Sequence, residues 1–110
     1  MLFIKRVKVP AELIEKYRAA LVSGIELASE DERPHYEIHL SALIHLQKSL
    51  ASRESVEEIA IQVWRERRSH GWSYLSGRQG SLVSSLFHEL AALIESQIFR
   101  IKGKDWHYSL

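Results

Sequence analysis

The chain has 110 residues, a formal net charge of +1 at pH 7, 45% hydrophobic and 26% charged residues, and no cysteine. These values are typical of one globular domain, and they exclude a disulfide framework and a thiolate metal site. No apolar run approaches the roughly 18 residues that span a bilayer, and the start MLFIKRVKVP lacks the apolar stretch and cleavage site of a signal peptide. We therefore expect a single domain over residues 1–110, located in the cytoplasm, with no membrane partner.

The first predicted element is a short strand over Leu2–Val9, where apolar and polar residues alternate. Pro10 suits the first turn of a helix and opens helix one. Within this helix Ala20, Gly24 and Ala28 form a seam of small residues, which predicts the close approach of another helix. The apolar face of helix one comprises Leu13, Ile14, Tyr17, Ala20, Leu21, Gly24 and Ala28.

Two further helices follow an acidic interruption. The run Ser29–Pro34 breaks the helical pattern and starts helix two. Ser55 and Glu58 form a capping box that opens helix three, which we expect to end by Gly71. The apolar stripes are Tyr36, His39, Leu40, Leu43, Leu46 and Leu50 in helix two, and Val56, Ile59, Ala60, Val63 and Trp64 in helix three.

A loop over Gly71–Gly80 leads to helix four, which we expect to begin at about Ser81. The tail Ile101–Leu110 predicts a strand that pairs with residues 2–9. Together these elements predict an all-α, four-helix bundle-like single domain, with the option of a short N-terminal strand paired with the C-terminal tail. The stripe of helix four is Leu82, Val83, Leu86, Phe87, Leu90, Leu93, Ile94 and Ile98.

Charge is unevenly distributed along the chain. Residues 1–9 carry a net charge of +3, residues 10–62 carry −5 and residues 63–110 carry +3. If the two ends of the chain meet, they form a basic face opposite an acidic one. Such a surface suits nucleic acid, an acidic partner or head-to-tail self-association. The alternative is an ordinary scatter of solvated charges.

The candidate metal ligands are His35 and His39, which stand four residues apart, a spacing that lets two imidazoles share a cation. Glu37 lies on the other side of the helix from His39, so further ligands would have to come from another helix. Because His39 lies inside the apolar stripe, the alternative is a buried histidine that is hydrogen-bonded to a neighbour. We favour the buried histidine and expect no metal and no cofactor.

Arginine, histidine and aromatic residues are concentrated where helix three ends. Arginine makes bidentate contacts to phosphate, aromatic rings stack on bases, and histidine transfers protons near neutral pH. The alternative is a helix that ends in solvated arginines while the aromatic rings cover the core. Gly77–Ser81 suits either an anion site or an ordinary turn. The candidate nucleic-acid-binding or anion-binding residues are Arg65, Arg68, His70, Trp72, Tyr74 and Arg78.

Two short motifs in this stretch resemble known families. Arg65 and His70, with four residues between them, resemble the arginine–histidine motif of HEPN domains, all-helical modules that are often metal-independent ribonucleases in toxin–antitoxin systems. That resemblance implies that Arg65 orients phosphate and His70 assists proton transfer, with Glu66 in place of the usual polar residue. The pattern Arg67, Gly71-Trp72-Ser73-Tyr74 and Arg78 is similar to the repeat domain of ryanodine receptors and some bacterial proteins.

The sequence thus favours a small, non-catalytic helical interaction or regulatory module that self-associates as a homodimer and binds a protein partner. Its basis is the bundle pattern, the small-residue seam and the segregated charge, without a convincing catalytic set. The alternative is a nucleic-acid-binding protein or metal-independent ribonuclease that uses Arg65, His70 and Arg78.

Overall fold

Four α-helices are found among residues 6–52 and 55–103, which are the residues that the computed structural model describes. They are α1 (Ala11–Leu27), α2 (Arg33–Ala51), α3 (Val56–Arg67) and α4 (Gly77–Lys102), and a short 3-10 helix, His70–Tyr74, lies between α3 and α4. No strand occurs in those two ranges. The prediction of an all-helical fold is confirmed.

Local sequence signals begin two of the helices as expected. Pro10, with a φ of −58°, immediately precedes α1. The hydroxyl of Ser55 accepts a hydrogen bond from the backbone N–H of Glu58 at 3.2 Å, which is one of the two hydrogen bonds of the predicted capping box. Because the first N–H groups of a helix have no partner within it, this contact stabilises the start of α3 by about 1 kcal/mol.

The helices contact one another in a closed ring, in which α1 packs on α2, α2 on α3, α3 on α4, and α4 again on α1. Leu82 and Leu93, expected in the stripe of α4, are 48% and 36% exposed and lie at the edge of its buried face. None of the described helices is long and apolar enough to cross a membrane. The core includes Tyr17, Leu21, Tyr36, Leu43, Ile59, Val63, Val83, Phe87, Leu90, Ile94 and Ile98.

The small-residue seam of α1 is a site of close helix packing. A Cβ atom placed on Gly24 would lie under 3.0 Å from three carbons of the Tyr36 ring, closer than real side chains approach. Tyr36 is 1% exposed, so its ring has little room to move. Glycine at this position is therefore required by the contact between α1 and α2, as the seam predicted.

The predicted pairing of an N-terminal strand with the C-terminal tail is not found in the described part of the chain. Residues 6–9 form no strand, and Ile101 and Lys102 belong to α4; residues 1–5 and 104–110 lie outside the described residues. The backbone N–H and C=O of Lys8 each bond to the side-chain amide of Gln97 at 2.7 Å. The Gln97 side chain thus makes the hydrogen bonds that a neighbouring strand would otherwise make, while Val7 is buried against the helices.

The predicted loop Gly71–Gly80 is also shorter than expected, because α4 begins at Gly77 and not at Ser81. Gly77 has a φ of +71°, which glycine adopts without strain. A Cβ atom on Gly80 would lie 2.7 Å from the carbonyl carbon of Leu75. Both glycines therefore serve the first turn of α4, where their pattern had indicated a loop.

Candidate functional site

A polar contact is buried where α3 meets α2. His39 is 0% exposed, and its Nδ1 lies 3.0 Å from Oε2 of Glu66. The His39 ring stacks on Trp72, with 3.9 Å between ring centroids and 22° between planes. The indole N–H of Trp72 donates to the backbone carbonyl of Glu66 at 2.7 Å. His39 is thus a buried histidine that is hydrogen-bonded to a neighbour, as the sequence favoured.

The second candidate metal ligand, His35, also stacks against an aromatic ring. It stacks on Tyr74 at 4.1 Å between centroids and 4° between planes. Within residues 6–52 and 55–103, no group of three or more histidine, cysteine or acidic side chains is placed to hold a metal ion. His35 and His39 therefore contact different rings, Tyr74 and Trp72, on the same 3-10 helix.

Gly71 permits the contact between this 3-10 helix and α2. A Cβ atom on Gly71 would lie 2.8 Å from Nε2 of His39. Ser69 supports the turn, because its hydroxyl accepts a hydrogen bond from the N–H of Gly71 at 3.2 Å. The Gly71-Trp72 pair, part of the pattern that is similar to the ryanodine-receptor repeat, here places its backbone and its indole ring against His39.

The structure separates the predicted cluster into parts. Arg65, Arg68 and His70 are exposed at the end of α3, and the guanidinium of Arg68 lies 4.6 Å from the ring centroid of Trp64. Arg78 lies at the start of α4, twelve residues before Leu90, which is about 18 Å along the helix. Leu90 and Arg65 line the same cavity. Arg78 is therefore far along α4 from Arg65, and their joint action stays a prediction.

Arg67, which lies among the predicted arginines, is taken up by an ion pair. Its Nη2 donates to Oε1 of Glu95 at 2.7 Å, and its Nε donates to Oε2 at 2.9 Å. The hydrogen bond to Glu95 raises the pKa of Arg67 above its usual value. The guanidinium of Arg67 is therefore bound to Glu95 of α4 and is not free to bind a phosphate. Arg65, by contrast, makes no ion pair with a described residue.

A cavity of about 380 Å³ opens between α2, α3 and α4. The exposed side chains of His45 and Arg65 border it, and Tyr17 of α1 reaches it from the opposite side. Gln62 and Glu66 contribute polar surface to a lining that is otherwise mainly apolar. The apolar side chains in the lining are Leu43, Leu46, Val63, Phe87 and Leu90.

Three buried polar atoms around this region have no hydrogen-bond partner: the Tyr17 hydroxyl, Nε2 of His39 and Oε1 of Gln62. Burial, and secondarily the negative charge of Glu66, raises the pKa of Tyr17 well above its usual value. Most buried polar groups in folded proteins are paired, so a concentration of unpaired ones beside a cavity is unusual. No sequence pattern predicted Tyr17 or Gln62 as site residues.

Within the described residues, the segment 6–9 lies against the C-terminal half of α4, which brings basic side chains from both segments together. The bonds between Lys8 and Gln97 hold the N-terminal segment on α4, and Arg6 and Arg100 line one shallow cleft. None of these three basic side chains makes an ion pair with a described residue. We call Arg6, Lys8 and Arg100 the basic end.

An acidic turn lies at the other end of α4. The hydroxyl of Ser76 donates to Oε1 of Glu32, while Glu30 and Asp31 are exposed and make no ion pair with a described residue. Ser76 and Gln97 are 21 residues apart, or about 30 Å along α4. We call Glu30, Asp31 and Glu32 the acidic end. Glu32 thus contacts the residue that precedes α4, next to the segment Gly77–Ser81 that the sequence had suggested as an anion site or an ordinary turn.

Comparison with protein-family models, with curated proteins and with solved structures finds no match to this chain. The HEPN and ryanodine-receptor-repeat resemblances therefore depend on the quoted motif residues alone.

Proposed function

We propose that this chain is a non-catalytic interaction module of the cytoplasm, which associates with a second copy of itself as an antiparallel homodimer and through it regulates or bridges a partner protein. The observation that carries this proposal is the separation of unpaired charge. The basic end and the acidic end lie about 30 Å apart along α4, and neither forms an ion pair with a residue of 6–52 or 55–103. An antiparallel arrangement brings each basic end against the acidic end of the other copy.

A two-fold axis makes this arrangement self-limiting. In a two-fold dimer the same patch is used on both copies, so both pairs of charged ends are satisfied at once and no open filament results. Leu82 and Leu93 are partly exposed on α4 and eleven residues apart. At about 100° per residue the two leucines lie on one stripe of the helix. Antiparallel packing of α4 on α4 places Leu82 opposite Leu93 of the second copy.

A binding role fits the groups that come together in the interior better than a catalytic role. His39, the most buried imidazole, contacts Glu66 and Trp72 and is 0% exposed. A general acid or base must reach the proton that it transfers, and this ring is covered. The exposed His70 belongs to the 3-10 helix and has no acidic partner among the described residues.

Mass measurement by light scattering tests the dimer. We expect twice the chain mass at about 0.05 M salt and a shift towards the monomer at about 0.5 M salt, because exposed charge pairs are screened within a Debye length. Arg100→Glu should favour the monomer at low salt, and adding Asp31→Lys to the same chain should restore the dimer. Lys16→Glu, an equal charge change in the middle of α1, is the matched control.

A monomeric mass at low salt and high protein concentration would contradict self-association. Equal effects of Arg100→Glu and Lys16→Glu would show instead that net charge, and not the basic end, governs the mass. The double charge reversal separates these cases from simple unfolding, because only a specific contact is restored by exchanging the signs of the two partners.

RNA binding is the second candidate, and the exposed arginine–tryptophan contact favours it. Arg68 stacks over Trp64, and Arg65, three residues earlier, lies on the same side of α3. Such pairs bind single-stranded nucleic acid through stacking and phosphate contacts. Titration with a single-stranded RNA should show affinity that falls as salt rises. For a ribonuclease, cleavage should persist without metal and be abolished by His70→Ala.

A further inference from the structure

We propose that the cavity between α2, α3 and α4 is a binding site for a small amphipathic molecule that has an apolar ring system and a hydrogen-bond-donating group such as an amine. This site is independent of the proposed dimer, since the charged ends that carry the dimer lie outside it. The occupant is inferred from the volume of the cavity, its apolar lining and the identity of its polar atoms.

The volume fits a ring system. At about 380 Å³, the cavity is more than twice the volume of an engineered 150 Å³ cavity that binds benzene, and it lies in the range of roughly 300–1,000 Å³ typical of ligand sites. Leu46, Val63, Phe87 and Leu90 give the ring apolar surface to contact. Two fused rings would use the space better than one.

The less exposed polar side chains of the lining, Tyr17, Gln62 and Glu66, can each accept a further hydrogen bond, whereas the donor Arg65 is exposed at the border of the cavity. Gln62 uses its Nε2 to donate to the hydroxyl of Ser49 at 2.7 Å, which leaves its Oε1 without a partner. Glu66 bonds to His39 through Oε2 only, so its second carboxylate oxygen has accepting capacity left. The Tyr17 hydroxyl, 1% exposed and unpartnered, can donate or accept.

An occupant with N–H groups therefore supplies what these side chains lack. Burial of an acceptor without a donor is unfavourable, so a donor that reaches the buried Oε1 of Gln62 removes that cost and binds more tightly than an apolar group of the same size. The half-buried carboxylate of Glu66 favours a cationic amine over a neutral donor and repels an anion, and it outweighs the opposite effect of Arg65, whose exposed charge is screened by solvent. The exposed residues His45 and Arg65 mark the side from which the molecule enters.

The site can be tested with three compounds that share one ring system: tryptamine, indole and indole-3-acetate. Each is titrated into the full chain while backbone amide shifts are followed by NMR. We expect shifts around Leu46, Val63 and Glu66, with tryptamine binding about tenfold or more tightly than indole-3-acetate, the ratio that one charge-assisted hydrogen bond supplies. Indole should lie between them.

Two adjacent positions on α2 provide a blocking variant and its control. Ala42 is half-buried and lines the cavity, so Ala42→Phe fills it and should abolish the shifts caused by tryptamine. Ser41, the preceding residue, is exposed and does not line the cavity, so Ser41→Phe should bind tryptamine like the unmodified chain. Both variants add the same ring to the same helix.

Gln62→Met provides a second check that keeps the approximate shape of the side chain but removes its acceptor, together with the hydrogen bond that its Nε2 donates to Ser49. It should weaken tryptamine binding by about fivefold to tenfold and leave indole binding unchanged, because only tryptamine carries the amine that the acceptor contacts. The proposal is overturned if no compound shifts the lining residues, if Ala42→Phe binds as well as Ser41→Phe, or if tryptamine and indole-3-acetate bind equally. A folded dimer without tryptamine binding would leave the proposed function standing.

Discussion

The two sides of the bundle are built differently. Where α1 packs on α2 and α4, contact is extensive, Gly24 lies directly against the Tyr36 ring, and Leu21, Val83 and Ile94 are 0% exposed. Around α3 the packing is sparser, a cavity opens, and unpartnered polar atoms occur. The difference teaches that tight packing of three helices stabilises the fold, while incomplete packing of the fourth leaves a cavity beside α3.

The length of α3 accounts for part of the difference. It has 12 residues, against 17 in α1, 19 in α2 and 26 in α4. A shorter helix covers less apolar surface, and burial contributes roughly 25 cal/mol per Å². The 3-10 helix partly compensates, since Trp72 contacts both Phe87 and His39.

The largest effect that we expect is at the close contact of α1 and α2. Gly24→Val should lower the free energy of unfolding by about 3 kcal/mol, because the added atoms overlap the buried Tyr36 ring. Ser23→Val, at the exposed preceding position, should change it by under about 0.5 kcal/mol. Chemical denaturation of both variants measures the difference. Equal stability of the two would mean that α2 can move away from α1 without loss.

A matched pair of substitutions compares the two sides directly. Val83→Ala should lower the free energy of unfolding by about 2 kcal/mol, since the truncated side chain leaves a new void in close-packed surroundings. Val63→Ala should lower it by about 1 kcal/mol, because it enlarges a cavity that already exists. Denaturant midpoints at a constant slope report both values. Equal losses would contradict the difference in packing.

Tyr17→Phe should stabilise the chain at neutral pH by about 1 kcal/mol, because it removes a buried hydroxyl that has no partner. The same variant should lower the affinity for tryptamine if the hydroxyl contacts the bound molecule. Thermal unfolding at pH 7 measures the first effect and the NMR titration measures the second. A loss of stability on this substitution would show that the hydroxyl is hydrogen-bonded in solution.

Tyr17 also predicts how stability responds to alkali. Burial raises the pKa of Tyr17 in the folded state above its usual value, whereas an unfolded tyrosine ionises near about pH 10. The ionisation of Tyr17 therefore leaves the free energy of unfolding unchanged below about pH 10. As pH rises from there towards the higher folded-state pKa, the unfolded state loses the proton first and the free energy of unfolding falls by about 1.4 kcal/mol per pH unit. Burial likewise raises the pKa of Tyr36. Tyr17→Phe should make the decline above about pH 10 less steep.

The smallest effect that we expect is at the ion pair between α3 and α4. Arg67 and Glu95 have side chains 35% and 20% exposed, so solvent screens their attraction. Glu95→Gln should lower the free energy of unfolding by about 0.5 kcal/mol at low salt and by less at high salt. Glu89→Gln, an exposed change on the same helix, is the control. A loss that does not depend on salt would indicate a contact of another kind.

Much of the fold could be predicted from spacing because its helices are amphipathic. Pro10, the Ser55 cap and the Gly24 seam are local signals with one physical interpretation each, and the structure contains all three features. The alternation of apolar and polar residues was not enough to predict an N-terminal strand correctly. Alternation reports which side chains are buried, and at Lys8 the backbone partner is the side chain of Gln97, 89 residues away.

The candidate site was less predictable, since it depends on contacts between distant residues. The burial of His39 followed from its place in the apolar stripe, but its contact with Glu66 spans 27 residues. The sequence did not indicate Tyr17 or Gln62, because hydrophobic periodicity predicts which face of a helix is buried and does not predict where the packing leaves a cavity.

The stacking of Trp72 on His39 also has a spectroscopic consequence. Electron transfer from an excited indole to a nearby acceptor shortens the lifetime of the indole fluorescence. The ring centroids of Trp72 and His39 are 3.9 Å apart. Trp64, by contrast, lies against solvent under Arg68. The chain has three tryptophans, so a variant with Trp64→Phe and Trp106→Phe retains Trp72 alone. Its time-resolved fluorescence would show whether the 3-10 helix stays on α2 as compounds or partners are added.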